Sequence, residues 1–261
     1  MRYAWLALPL LFQACGAWAD DPDFCVDRPG LGTPACTLKS GRAMIEVAPI
    51  AWDHSSDTET VEDDLTYGQA LLRYGLDDKT EFQLGLNGYG TVRLRDRTSG
   101  GLTRGKGFGD TTLALRRSIS GSGGPVALQA FVTLPTGSNG IGAGDWGAGL
   151  LVPIAIDLPA NFELDLTPEL DAAVNLSGAG RHFAWGGVVG LSHPLASDFT
   201  ASAEVGARRD MEPASHTTFV RFAVSLAWQV ASDVQIDFEG DLGLSADAPR
   251  HSLLVGLARR F

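Results

Sequence analysis

The sequence predicts an all-β chain: a transmembrane up-and-down antiparallel β-barrel of about 12 strands. Three observations carry that expectation: a two-residue alternation of apolar and polar side chains, a strict alternation of short and long connections, and aromatic residues placed at fixed distances from the short turns. The alternation is clearest at 162–175. There Phe162, Leu164, Leu166, Leu170 and Val174 share one face, while Glu163, Asp165, Thr167, Glu169, Asp171 and Asn175 share the other, because side chains in a strand point to opposite faces with a period of two. One face suits lipid and the other suits water. After the first 19 residues no apolar run approaches the roughly 18 to 20 residues that a helix needs to cross a bilayer. A spanning strand needs only about 9 to 11 residues and can keep one face polar.

Followed along the chain, the alternation places strands near 42–52, 65–76, 80–94, 108–119, 125–135, 145–158, 162–176, 184–195, 199–209, 217–230, 234–244 and 251–261. An even count leaves both ends of the barrel on one side. The connections at 77–79, 120–124, 159–161, 196–198 and 231–233 are short. Those at 53–64, 95–107, 136–144, 177–183, 210–216 and 245–250 are longer, and the two kinds alternate in strict order. Short periplasmic turns and longer external loops are the asymmetry of bacterial outer-membrane barrels, whereas a soluble sandwich has no reason to sort loops by parity. Both termini then fall in the periplasm.

Aromatic residues on the lipid face should gather at headgroup level. In the assigned phase Tyr74, Phe82, Phe162, Phe199, Trp228 and Phe261 point outward close to short turns or the C-terminus, while Trp146 and Trp185 point outward beside long loops. Between these girdles the lipid face runs through Ile45 and Val47, Leu84 and Leu86, Leu113 and Leu115, Leu150 and Ile154, Val189 and Leu191, Val220 to Leu226, and Leu253 to Leu257.

Ahead of the barrel, residues 1–19 read as a secretory signal peptide: Arg2, an apolar run from Tyr3 to Phe12, then Ala17-Trp18-Ala19 before Asp20. A rival reading acylates Cys15, but Phe12-Gln13-Ala14 is a poor match to the small and aliphatic residues such sites carry. The formal net charge of -11 becomes one unit more negative when Arg2 is removed, which argues against nucleic acid as a partner. Residues 20–40 form an expected periplasmic N-terminal segment, and 41–261 the barrel. Cys25 and Cys36, with ten residues of a Pro/Gly-rich stretch between them, point to one disulfide in an oxidising compartment; a zinc reading lacks nearby His and paired spacing. The segment reads equally as a tail, a plug in the barrel mouth or a hold for a periplasmic partner.

Leu253, Val255, Leu257 and Phe261 end the chain on an alternating aromatic-terminated strand, which resembles the signal read by the barrel assembly machinery. Asp27-Arg28-Pro29-Gly30, Gly107-Phe108-Gly109-Asp110, Leu134-Pro135-Thr136-Gly137 and Gly41-Arg42 entering a strand at Glu46 together resemble the outer-membrane family named for the meta-pathway of phenol degradation, over nearly the whole chain from about Asp27. That resemblance implies a porin-like barrel in the bacterial outer membrane, associated with uptake of small, often aromatic or hydrophobic compounds. The partners it implies are outer-membrane lipids, the barrel assembly machinery and small-molecule solutes.

The inward face carries Glu46, Glu81, Asp110, Glu163, Asp165, Glu169, Asp171, Glu204, Asp237, Glu239 and Asp241 against Arg73, Arg116, Arg208, Arg221 and Arg260. In an open lumen this excess of acid favours cations or neutral solutes over anions. In a narrow one it forms an ion-pair network that fills the barrel, and the sequence leaves both open. Asp110 reads either as a cap for loop amides or as a vestibule residue, with the cap favoured. Gly105 to Asp110 lacks the strand–loop–helix setting of a phosphate cradle. Of His54, His182, His193, His216 and His251, only His251 has a serine beside it at a strand start, and adjacent residues face opposite ways. The expectation is a channel or transporter without catalytic group, metal or cofactor. The alternative is a closed barrel with a structural or loop-mediated recognition role.

Overall fold

A computed structural model describes residues 24–121 and 123–261. The expected signal peptide, Cys15 and residues 20–23 lie outside the described residues. Fifteen strand segments follow in chain order: β1 (Ala43–Ser56), β2 (Thr60–Asp77), β3 (Thr80–Leu86), β4 (Tyr89–Asp96), β5 (Leu102–Phe108), β6 (Thr111–Ser118), β7 (Ala127–Leu134), β8 (Gly147–Leu151), β9 (Ile154–Leu158), β10 (Phe162–Val174), β11 (Arg181–Ala196), β12 (Phe199–Asp210), β13 (Thr217–Ala231), β14 (Val234–Gly243) and β15 (His251–Arg260). Every ladder is antiparallel, and β1 pairs with both β2 and β15, which closes the sheet on itself. The protein is a closed antiparallel barrel of 12 strands, because three of its walls are each broken into two segments.

The breaks have local causes. Between β3 and β4, Gly88 adopts φ 62°, and a Cβ there would collide with the carbonyl of Tyr67; only glycine takes that backbone without penalty. Between β8 and β9 stands Pro153, which has no N–H for the ladder. The neighbouring groups are still satisfied, since the Ala127 amide donates to the Pro153 carbonyl and the Val152 amide to that of Pro168, each at 3.0 Å.

The inside and outside of the barrel are inverted relative to a water-soluble core. The largest fully buried side chains include Arg73, Arg116, Glu46, Glu81 and Asp237, while Leu150, Leu170, Val189, Val205, Val224, Phe238 and Leu253 are exposed on the outer wall. An apolar belt of this size is a lipid-facing surface. Aromatic residues mark its edges: Phe199 and Trp228 stack at 5.6 Å near the short-turn end, and Tyr74 lies opposite Phe82 in the β2–β3 ladder. At the other end Trp146 and Trp185 are exposed, with the Arg181 guanidinium 3.6 Å from the centre of the Trp146 ring.

Two of the expected long loops are strand instead. β1 and β2 stay paired up to Ser56 opposite Val61. The Asp57 carboxylate closes their turn by accepting the amides of Glu59 (2.7 Å) and Thr60 (2.6 Å). Likewise β4 and β5 form a hairpin where 95–107 was expected to be loop. Beyond the apolar belt both faces of a strand can be polar, so the ladder continues while the alternation that betrays it disappears. Alternation also slips within β1. The register against β15 shifts between Val47 and Ile50, so Met44, Glu46 and Ala48 are buried inward below the shift, whereas above it Ile50 is exposed and Ala51 turns in.

Replacing Leu166, on the outer wall of β10, by Arg is expected to cost roughly 2 to 4 kcal/mol at mid-bilayer depth, whereas Asp165→Asn on the inner wall leaves insertion unchanged. Denaturant titration of both variants in vesicles checks this, and equal losses would contradict the assignment of faces.

Candidate functional site

The segment before β1 lies inside the barrel at the short-turn end. A closed wall has spent its own backbone groups on its ladders, so the segment's amides bond to side chains. The amides of Asp27 and Arg28 donate to the Glu46 carboxylate (3.1 Å each). That of Gly30 donates to Glu239 (2.8 Å), those of Leu31 and Gly32 to Glu204 (2.6 and 3.2 Å), that of Thr33 to the Thr167 hydroxyl (3.1 Å) and that of Leu38 to Glu81 (2.7 Å). These acceptors stand on β1, β3, β10, β12 and β14, so the segment crosses the lumen from wall to wall as a plug. Cys25 and Cys36 are joined by a disulfide of 2.02 Å that closes the plug's loop. Gly30, at φ 119°, lets the chain turn over Glu204, whose carboxylate fills the space a Cβ on Gly30 would need.

One side of the plug is clamped by charge. Arg73 donates to Glu81 through Nε (3.0 Å) and Nη2 (2.9 Å), to Glu46 through Nη1 (3.0 Å), and to the Cys25 carbonyl (2.6 Å). Arg116 grips Asp27 with two parallel bonds of 2.8 and 2.7 Å and reaches the Gln129 side chain (2.7 Å) and the Cys36 carbonyl (3.3 Å). Arg73, Glu46, Glu81 and Arg116 have no exposed side-chain surface. Bidentate guanidinium–carboxylate pairing is among the strongest polar contacts available. Burial alone would raise the Asp27 pKa, but the charges of Arg116 and Arg73 outweigh it and hold the carboxyl below its usual range.

The remaining inward residues fall into two groups. Glu163 and Asp165 join Glu204 around a lower cavity of about 290 Å³ beneath the plug. Asp237 is buried on β14 between Gln235, which donates to the Arg28 carbonyl (2.9 Å), and Glu239. Above the plug, Arg208 lies 3.4 Å from Asp171, Arg221 lies 3.5 Å from Asp241, and Glu169 lines a small cleft with Arg208 and Arg221. Asp110 turns away into the long loop after β7, accepting the amides of Gly137 and Ala143 at 2.7 Å each. Its carboxylate ties that loop to the rim.

An upper cavity of about 430 Å³ has the plug residues Asp27, Arg28 and Gly30 as its floor. Its walls mix apolar Leu71, Ala114, Phe131, Leu151 and Leu254 with the carboxamides of Gln69, Asn87, Gln83 and Gln129 and the carboxylate of Glu239. Asp27 and Arg28 border both cavities, so this dipeptide is the partition between them. Arg28 spans toward β2 with a 3.3 Å bond to Gln69. His251 and Ser252 do not converge. His251 stacks on His54 with ring centres 6.4 Å apart, whereas the Ser252 hydroxyl turns to Asp53.

A family model described as "Putative MetA-pathway of phenol degradation" matches residues 27–261. The chain belongs to that family. The match begins at Asp27, so in this member of the phenol-degradation family it takes in most of the plug as well as the barrel. Among solved structures, an outer-membrane channel from Pseudomonas putida F1 is similar at TM-score 0.66 and 15% identity, covering 90% of this chain and 99% of that one. The translocator domain of the autotransporter NalP from Neisseria meningitidis follows at 0.55 and 14%, over 86% and 90%. The NanC porin is similar at 0.50 and 12%, over 82% and 98%. At these identities the likeness establishes the fold. A search of curated proteins gives no match.

Sequence reading did not find Arg28, Gln69, Gln83 and Gln129. The Asp27-Arg28-Pro29-Gly30 run pointed only to the family, its segment reading equally as tail, plug or hold for a partner, and inward glutamines in strands carry no periodic signal beyond polarity.

Removing Arg116 leaves Asp27 buried without its main partner, so Arg116→Gln is expected to weaken the closed state by about 3 to 5 kcal/mol. Protease cleavage within 24–40 of the folded barrel would report it. Because the Asp27 pKa is depressed, its contribution is complete above the unfolded value of about 3.9 and disappears as pH falls through the folded value. Protection is therefore expected to be flat from neutral pH down to about pH 4 and to lose the Asp27 contribution only below that. Asp27→Asn should abolish that low-pH step.

Proposed function

We propose that this chain is a passive outer-membrane channel for small molecules, aromatic or hydrophobic compounds among them. The observation that carries the reading is the upper cavity. Its volume of about 430 Å³ and its lining of Leu71, Phe131 and Leu254 beside uncharged carboxamides suit a compact, neutral molecule with an apolar body and a hydrogen-bonding group. The acidic groups around both cavities disfavour anions. Membership of a family described by phenol degradation and the barrel fold shared with an outer-membrane channel support the same reading. The alternating C-terminal strand ending on Phe261 is the part we assign to recognition by the assembly machinery, and residues 1–19 the part removed on export.

One observation favours a second reading, a closed barrel serving envelope structure or recognition. The plug bonds to opposite walls, through Glu81 on β3 and Glu204 on β12. Vesicle-swelling and planar-bilayer measurements on the mature protein, with phenol-sized neutral solutes, benzoate-type anions and simple salts, separate the two. A channel is expected to pass the neutral solute faster than the anion, and deletion of 24–40 to raise ion conductance several-fold with cation preference. Impermeability of the intact protein to every solute, with large conductance only after deletion, would favour the closed barrel.

A further inference from the structure

The β4–β5 hairpin rises above the aromatic edge of the barrel, and its register fixes which side chains share its outer face. Tyr67 of β2 lies opposite Tyr89, and Tyr89 opposite Phe108, whose ring it meets edge-on at 5.4 Å. Phe108 is 63% exposed, so this row faces out of the barrel. Two residues further up, Thr91 lies opposite Lys106; four up, Arg93 lies opposite Arg104; six up, Arg95 lies opposite Leu102. The other face of the hairpin is covered from the lumen side, where Ile141 of the external loop packs over Gly90 and Gly105. Arg93, Arg95, Arg104 and Lys106 are accordingly all exposed. They stand on the outer surface directly above an aromatic row, in a chain whose formal net charge is -11.

Basic side chains outnumber acids on this face. Arg93 and Arg104 are directly opposed across the ladder, and like charges in that position repel. The acid opposite Arg93 on its other side is Asp63, a single carboxylate that Arg93 shares with His54 Nδ1 (2.8 Å) and Trp52 Nε1 (3.3 Å), both of which bond its Oδ1. Beside the arginines opens a cleft of about 570 Å³, where Arg93, Arg95 and Arg97 outnumber the carboxylates of Asp63 and Asp96. Aromatic side chains mark the depth of the membrane–water interface, so a basic row just beyond them meets the headgroups of the outer leaflet. Guanidinium groups pair with phosphate oxygens through parallel bonds.

We propose that the outer face of the β4–β5 hairpin binds the phosphates of an anionic lipid of the outer leaflet, with Arg93, Arg95 and Arg104 as the phosphate-binding groups and Lys106 below them. The inference rests on the outer-membrane reading above. Its occupant is a phosphate-bearing lipid rather than a soluble ion, because the basic groups continue an apolar and aromatic surface that acyl chains cover.

The test uses the mature protein in phosphatidylcholine vesicles carrying trace amounts of bisphosphorylated lipid A or its dephosphorylated form, with bound lipid read by native mass spectrometry. The wild-type chain is expected to retain the bisphosphorylated lipid and not the dephosphorylated one. The Arg93→Gln/Arg95→Gln/Arg104→Gln variant, with folding checked by heat-modifiable migration, is expected to bind at least about tenfold more weakly. Should that variant not fold, rising salt on the wild-type chain reads the same property, since a charge-held lipid is released by it. Equal affinity in the variant, salt-independent retention, or saturation by inorganic phosphate at matching concentration would overturn the proposal. So would unchanged lipid affinity accompanied by new oligomers, which would assign these charges to protecting the edge strand β5. Failure of the wild-type chain to insert into vesicles would overturn the membrane reading along with this one, whereas insertion without lipid preference overturns this one alone.

Discussion

A closed barrel has no free backbone edge, and that constraint organises everything inside this one. Each wall strand spends its N–H and C=O groups on its two neighbours, so an irregular segment placed in the lumen cannot extend a ladder. Its buried amides still need acceptors, and only inward side chains can supply them. Carboxylates are the strongest such acceptors. Glu46, Glu81, Glu204 and Glu239 therefore stand where the amides of Asp27, Arg28, Gly30, Leu31, Gly32 and Leu38 arrive. The excess of acid over base along the inner wall belongs to this arrangement as much as to any solute path.

Buried carboxylates carry their own cost, and the clamp around Arg73 and Arg116 shows how it is met. Taking one charge out of water costs several kcal/mol, and mutual attraction offsets it only when the geometry is good and the remaining lone pairs are used. Here Glu81 is shared by Arg73, Gln83 and the Leu38 amide, and Arg116 divides its donors among Asp27, Gln129 and the Cys36 carbonyl. The two guanidinium groups reach both ends of the disulfide-closed loop, at the carbonyls of Cys25 and Cys36. The loop is thus fixed covalently across its neck and electrostatically at the same two residues.

How legible this was in the sequence depended on whether a residue's surroundings came from its own strand. Within the apolar belt the environment is set by lipid on one side and lumen on the other, so parity alone placed Leu166 outward and Asp165 inward. Parity failed at Pro49, where the register shift in β1 reverses which residues face in, and above the belt, where both faces of β4 and β5 can be polar. The plug's contacts were out of reach for a different reason. Arg116 meets Asp27 across a sequence separation of 89, and Glu204 meets Leu31 across 173; nothing local to either partner specifies the other. β10 and β14 carry acids without bases of their own; neighbouring strands supply Arg208 beside Asp171 and Arg221 beside Asp241, while the donor to Glu239 is the Gly30 amide, which a count of charged side chains does not include.

The two sides of the plug differ in what their separation would cost. On the side of β2 and β6, withdrawal would strand Arg73 and Arg116, whose side chains have no solvent exposure, beside carboxylates equally remote from water. On the side of β10 and β12 the released groups are Thr167 and Glu204, and Glu204 already borders the lower cavity of about 290 Å³. A carboxylate there can exchange a plug amide for water, which replaces most of a lost hydrogen bond. On the other side Arg116 gives up a bidentate pair with Asp27, a stronger contact than a single amide bond. The charge clamp therefore behaves as the fixed edge of the plug and the Glu204 side as its loose edge, a polarity set by where the guanidinium–carboxylate pair stands.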